Sequence, residues 1–190
     1  MQAIEKQDIQ AYDTQDLILL FERCFAKTHQ TKLIKGVDEP IYLPANANQP
    51  FHHVVFAHGF FASALHEIAH WLVAGSERRL LEDYGYWYAP DGRNAAQQAE
   101  FEQVEVAPQA MEWILSKACG RSFRLSLDNL NGEPTDSYHF AKSVHAQIAK
   151  YIERGLNDRA SQFRDSLCKF YGTSRLLTLG DFHFEEIYRG

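Results

Sequence analysis

The feature that most constrains this chain is residues 59–75, a run bracketed by glycines that is apolar on almost every helical face yet carries three ionisable side chains. A helix that is apolar all round is buried in the protein interior. His66, Glu67 and His70 would be buried with it, and a buried polar group without a partner costs about 1 to 3 kcal/mol. The run therefore predicts a central buried helix whose polar groups need a specific partner.

The spacing of the two histidines favours a metal ion as that partner. His66 and His70 are four residues apart, so their imidazoles lie one turn apart on one helix face and can bind the same ion. Glu67 directly follows the first histidine, which is the arrangement found in metal-assisted hydrolases. The other interpretation is a set of core histidines satisfied by backbone carbonyls, with Glu67 at an exposed edge.

A third protein ligand is expected on the next helix, predicted over residues 94–119 with a kink or a new start at Pro108. Polar side chains recur along it at alternating spacings of four and three, at Gln98, Glu102, Glu105, Gln109 and Glu112. We predict Glu105 as the ligand, because it lies just before Pro108, where distorted backbone can aim a side chain; Glu102 is its rival. The first and last members of the series are expected on a solvated helix face.

Two further features are candidates for substrate binding. Tyr84, Tyr86 and Tyr88 alternate with other residues, which predicts a strand with the three tyrosines on one face. An aromatic row beside a metal can hold an alkylammonium group through cation–π contacts, although such a row is also common in a core with its hydroxyls at the rim. Arg93 follows a predicted turn, and it either pairs with a carboxylate or is a surface arginine.

Composition narrows the functional class. The net charge is 19 − 25 = −6, which argues against broad contact with nucleic-acid phosphates, so no direct nucleic-acid partner is expected. Three cysteines without C-x-x-C spacing predict reduced thiols in the cytoplasm. The polar N-terminus is unlike a signal peptide, and no apolar run reaches the length of a membrane span, so no membrane association is expected.

The remaining patterns predict the fold. Helices are predicted at residues 13–25, 138–154 and 158–170, and strands within residues 51–56 and 123–130. Residues 33–43 are predicted to be extended but broken by turns at Gly36 and Pro40. We therefore expect one compact α+β domain over residues 1–190, with a small sheet packed against helices and the metal site on the buried central helix.

Several sequence blocks together resemble the elongation factor P hydroxylase family. They are residues 56–60, 66–71, 84–88, 90–93 and 101–110, with further matches at 33–36, 38–44 and 128–130. The similarity extends from about residue 33 to about residue 151, which is most of the chain. The blocks are long and unusual in combination, so the resemblance is specific.

The resemblance implies an enzyme that hydroxylates the modified lysine of bacterial translation elongation factor P after β-lysine has been attached. It implies a site of two histidines and one carboxylate, with iron(II) expected and O2 as the oxidant, although zinc or another divalent metal could be present as purified. On matching positions the ligands are His66 and His70, with Glu105 or Glu102. The implied fold is similar to that of the metal-dependent endoribonucleases of ribosomal RNA processing.

Two other functions stay open at this point. A zinc-dependent hydrolase, either a peptidase or a ribonuclease, would use Glu67 as the general base on metal-bound water. In a non-enzymatic module the metal would only stabilise the fold. In a hydroxylase Glu67 has no obligatory task, and its catalytic role would be to orient a ligand, to handle protons or to bind substrate.

Overall fold

The structure is a computed structural model that describes residues 12–83, 92–127, 129 and 136–188. Its α-helices in these ranges are α1 (Thr14–Phe25), α2 (Phe61–Val73), α3 (Ala95–Ala118), α4 (Tyr138–Arg154) and α5 (Asp158–Tyr171). All five were predicted from the sequence. The predicted tyrosine strand at residues 84–88 lies outside the described residues. None of the helices in the described ranges is long and apolar enough to cross a lipid bilayer.

Three strands in the described residues form one sheet in the order β1-β3-β2. They are β1 (Thr31–Lys35), β2 (Ile41–Leu43) and β3 (His52–Phe56). The last confirms the strand predicted within residues 51–56, and the other two lie largely in the segment predicted to be extended and broken by turns. The central strand β3 is parallel to β1 and antiparallel to β2, with Val54 paired to Leu33 on one side and to Tyr42 on the other. Four residues after β3 ends, α2 begins, so the central strand leads directly into the helix that carries the histidines.

Helix α2 is central, as the sequence predicted. Leu65, Ile68 and Leu72 on this helix are completely buried, and α2 contacts β3, α1, α3 and α5. Burying an aliphatic side chain of this size contributes about 1.5 to 3 kcal/mol, so this apolar face anchors the helix. The side that carries His66 and His70 is only partly buried and borders a cavity.

Helix α3 continues through Pro108 and does not restart there. Its first turn is closed by a capping box in which Asn94 and Gln97 bond each other's backbone N–H groups. Proline has no N–H, so the Val104 carbonyl loses its helical donor. Val104 is half exposed, and water can supply the missing hydrogen bond. Because α3 is unbroken, all the residues of its polar series follow the same helical repeat.

Four of the five residues in the polar series on α3 are buried and Glu102 is partly buried, so the prediction of a solvated face for Gln98 and Glu112 is wrong. They are 1% and 8% exposed, respectively. The predicted strand at residues 123–130 is also wrong over its described part, residues 123–127 and 129, which is irregular. Gln109 donates to the Ser126 carbonyl at 2.7 Å and accepts from its N–H at 3.0 Å. A side chain of α3 thus forms the hydrogen bonds with this segment that a neighbouring strand would otherwise form.

The C-terminal end of α2 is held by the first turn of α5. Arg159 donates to the carbonyls of Trp71, Leu72 and Ala74 at 3.0, 3.3 and 2.8 Å, and its guanidinium lies 4.7 Å from the Trp71 ring centre. Asn157 donates to the Leu72 carbonyl as well. The last carbonyls of a helix have no partner within it, so these contacts fix the end of α2 that follows His70.

We expect Arg159→Met to lower the free energy of unfolding by about 2 kcal/mol, because hydrogen bonds from a charged donor are lost. The loss is limited, since burial and then the nearby charge of Arg79 already lower the pKa of Arg159 to about 10. Urea unfolding measures the change. Arg164→Met on the same helix removes only a partly exposed pair with Asp165 and should cost less than about 1 kcal/mol. Equal losses in the two variants would contradict the capping role.

Candidate metal centre

Three side chains from two helices converge at the inner end of the cavity. His66 and His70 extend from one side of α2, and Glu105 extends toward them from α3. Nε2 of His70 lies 3.1 Å from Nε2 of His66 and 3.1 Å from Oε1 of Glu105, and Nε2 of His66 lies 3.5 Å from Oε2 of Glu105. These are the residues that the sequence placed at a metal, with Glu105 and not Glu102 in the cluster.

The separations within this cluster fit a bound divalent ion. Two ligand atoms that each lie about 2.0 to 2.2 Å from one ion are about 3 to 3.5 Å apart at tetrahedral or octahedral angles. The separation of 3.1 Å between the two histidines falls in that range, and so do the separations of 3.1 and 3.5 Å from each histidine to a different oxygen of Glu105. Imidazole nitrogens and carboxylate oxygens bind zinc and iron alike, so the donor set suits either metal.

Electrostatics in the cluster also favour a cation. Burial by itself lowers the pKa of His66, but the hydrogen bond to Glu112 and the charges of Glu105 and Glu112 outweigh it and raise that pKa to about 10. Burial by itself raises the pKa of Glu105, but the charge and hydrogen bond of His70 and the charge of His66 outweigh it and lower that pKa to about 2. Positive charge at this point is therefore stabilised.

Glu102 lies away from the histidines in the structure. Its carboxylate accepts a hydrogen bond from Gln98 at 3.3 Å, and Gln98 is in turn bound to Arg93 and to the Leu127 carbonyl. Glu105, one turn further along α3, is 3% exposed and accepts from Gln109 at 3.4 Å. The two carboxylates therefore have different environments, and only that of Glu105 faces the histidines.

Glu67 also borders the cavity, next to the cluster. Burial raises the pKa of Glu67, and the charges of His70 and then His66 oppose that increase. Its carboxylate accepts no hydrogen bond within the described part of the chain. It is therefore open to a group that enters the cavity.

The cavity has a volume of about 1030 Å³ and lies between α2, α3 and the β2 side of the sheet. Its wall includes Arg93, which the sequence proposed for substrate binding. Arg93 is 1% exposed, its Nε donates to Gln98 at 2.9 Å and its Nη2 donates to the Leu127 carbonyl at 2.9 Å. Its guanidinium also lies 3.9 Å from the ring centre of Phe101. The three candidate tyrosines, Tyr84, Tyr86 and Tyr88, lie outside the described residues.

Two residues of this region were not assigned to the site from the sequence. Oε2 of Glu112 lies 2.9 Å from Nδ1 of His66, and Gln109 joins Glu105 to the backbone of Ser126. The regular spacing of the polar series already contained the signal. Its members repeat at the helical period, so if Glu105 faces the two histidines, the residues four and seven positions later face the same way.

The chain matches the family model described as elongation factor P hydroxylase over residues 20–182. It is 53% identical over 168 residues to the elongation factor P lysine hydroxylase of Haemophilus influenzae. That similarity covers 88% of this chain and 94% of the relative. With a family match over most of its length and a relative this similar, the chain belongs to the elongation factor P hydroxylase family.

Proposed function

We propose that this protein hydroxylates the β-lysylated lysine of translation elongation factor P, at a metal held by His66, His70 and Glu105. The observation that carries the metal assignment is the set of separations among the three side chains, each of which suits a shared ion. The name of the Haemophilus influenzae relative supports elongation factor P as the partner and a lysine as the target. We infer a cytoplasmic location, which agrees with three free and buried cysteines.

Iron(II) is the metal that we propose. Two histidines and one carboxylate leave coordination positions open, and bound iron(II) supplies the oxygen-activating chemistry of non-haem hydroxylases. In this proposal the residues of the chain bind the ion, line the cavity and position the substrate. We also propose that the fold is similar to that of the metal-dependent endoribonucleases of ribosomal RNA processing.

The size of the cavity supports a long substrate side chain. Pockets for small ligands have volumes of about 300 to 1,000 Å³, and this one, at about 1030 Å³, is slightly larger. A lysine extended by a second lysyl group carries ammonium groups that need counter-charges once they leave water. Glu67 and Glu39 on the cavity wall provide carboxylates. We propose that Glu67 contacts an ammonium group of the substrate and is in that sense catalytic.

The proposed reaction is tested by reconstitution with defined metals. Protein stripped of metal is loaded anaerobically with iron(II) or with zinc, then mixed with β-lysylated elongation factor P, air and ascorbate. Ascorbate is needed because one oxygen atom enters the substrate while the other is reduced to water by two electrons. We expect one added oxygen atom with iron and none with zinc, measured by intact mass spectrometry.

The competing function gives the opposite result in the same assay. If zinc-loaded protein cleaves peptide or RNA while the iron form adds no oxygen, the protein is a hydrolase with Glu67 as general base. Elongation factor P with an unmodified lysine serves as the substrate control. Equal hydroxylation of the modified and unmodified forms would refute the proposed selectivity for the β-lysylated side chain.

Glu67→Gln tests the proposed contact with substrate. A hydrogen bond to a charged group is worth about 1.5 to 3 kcal/mol, so kcat/KM for hydroxylation should fall roughly 10- to 100-fold while bound metal is unchanged. Glu153→Gln, at an exposed position of α4, should leave both quantities unchanged. Loss of the metal from Glu67→Gln would make Glu67 a ligand, and an unchanged kcat/KM would exclude the contact.

A further inference from the structure

Glu112 lies behind His66, on the side of the imidazole away from His70. We propose that Glu112 is a positioning residue that holds the proton of His66 on Nδ1 and thereby leaves the Nε2 lone pair for the metal. This inference rests on the proposed function, because it assumes that the cluster binds an ion. It assigns Glu112 no direct contact with the metal or the substrate.

The geometry separates Glu112 from the ligands. Its Oε2 lies 2.9 Å from Nδ1 of His66, whereas Nε2 of the same ring faces His70 and Glu105 at 3.1 and 3.5 Å. The two ring nitrogens lie on opposite edges of the imidazole, so a carboxylate bonded to one cannot reach an ion bound at the other. Glu112 is seven residues beyond Glu105 on α3, which is about two helical turns and hence the same face.

The chemistry of the pair determines the direction of the hydrogen bond. An ionised carboxylate can only accept, so the imidazole must donate through Nδ1–H. An imidazole that keeps its proton on Nδ1 has its lone pair on Nε2, the nitrogen that faces the cluster. A histidine with the opposite tautomer would present an N–H group to the ion and could not bind it.

The hydrogen bond between Glu112 and His66 is shielded from water. Glu112 is 8% exposed and the His66 side chain is 26% exposed, so water competes poorly for either partner. His70 has no comparable partner for its Nδ1 among the described residues. Carboxylate partners of metal-bound histidines fix the ring orientation and raise ligand basicity, and their loss typically costs 10- to 100-fold in metal affinity. Of the two histidines, His66 is therefore the one whose ring orientation and Nδ1 proton are fixed by a carboxylate.

The test measures zinc affinity by competition with a chelator of known affinity, in the full chain and in three variants. Glu112→Leu should bind zinc about 10- to 100-fold more weakly than the wild-type protein. Glu112→Gln should lose less, because its amide carbonyl still accepts from Nδ1–H. Glu102→Leu is the matched control on the same helix and should bind zinc as the wild-type protein does. Equal affinities for Glu112→Leu and Glu102→Leu would overturn the inference.

A second measurement needs no variant that might misfold. Nitrogen-15 spectra of zinc-loaded, histidine-labelled wild-type protein show which nitrogen of each ring carries a proton. We expect His66 to bind zinc through Nε2, with an Nδ1–H that exchanges with water more slowly than that of His70. Binding through Nδ1, or equally fast exchange in both rings, would overturn the role of Glu112, and a purely structural role would not produce the protected proton.

These outcomes are distinct from failure of the proposed function. If the wild-type protein binds zinc tightly and adds oxygen when loaded with iron, but the Glu112 variants match the control, only the positioning role is lost. If the wild-type protein binds no metal, the metal-dependent function fails, and the inference fails with it.

Discussion

Glu105→Gln should lose most of its metal affinity and hydroxylation activity, whereas Glu102→Gln should keep both. Glutamine preserves the shape of the side chain but removes the charge that binds a divalent ion. Removing an outer partner of a metal ligand already costs about 10- to 100-fold in affinity, so loss of the ligand itself should exceed about 100-fold. Metal content after dialysis and a chelator-competition titration measure the effect.

Glu102→Gln is a close control because it makes the same substitution one turn earlier on the same helix. Its carboxylate accepts only from Gln98 among the hydrogen bonds described, and an amide oxygen can replace that acceptor. If Glu102→Gln loses the metal while Glu105→Gln keeps it, the assigned third ligand is wrong. If both variants keep the metal, two histidines and solvent bind it without either carboxylate.

The two histidines could be predicted from the sequence because their relation is local. Residues four apart on a helix share a face whatever surrounds that helix. The choice between Glu105 and Glu102 was harder, because it depends on how far α3 is shifted along α2, which is a property of tertiary packing. The position of Glu105 before Pro108 favoured the carboxylate that lies beside the two histidines in the structure, although the helix continues through the proline.

The two wrong predictions about the fold, a solvated face on α3 and a strand at residues 123–130, have one cause. A polar series along a helix usually faces water, so Glu112 and Gln98 were expected at the surface. In the structure these side chains are buried because they have distant partners: a histidine for Glu112, and the backbone of residues 126–127 for Gln109 and Gln98. The same side chains satisfy the segment that was expected to form a strand. Local periodicity shows which residues share a helix face, but it does not show whether distant partners bury that face.

His70→Ala should remove both metal binding and hydroxylation while the protein remains folded. In the wild-type protein the polar contacts of His70 within the described residues are with His66 and Glu105, and the His70 side chain is 26% exposed. The completely buried residues of α2, including Leu65 and Ile68, do not depend on those contacts. Activity with iron(II), zinc content and circular dichroism together distinguish loss of the site from loss of the fold.

The stability of the His70→Ala protein separates an enzyme site from a structural metal. Glu105 loses a charged hydrogen bond, so the free energy of unfolding without metal should fall by about 1 to 2 kcal/mol. A domain usually has about 5 to 15 kcal/mol of stability, so the fold persists. His139→Ala, at an exposed position of α4, should change nothing. If His70→Ala unfolds and metal-free wild-type protein unfolds too, the ion is needed for the fold, and the expected persistence of the fold without metal is refuted.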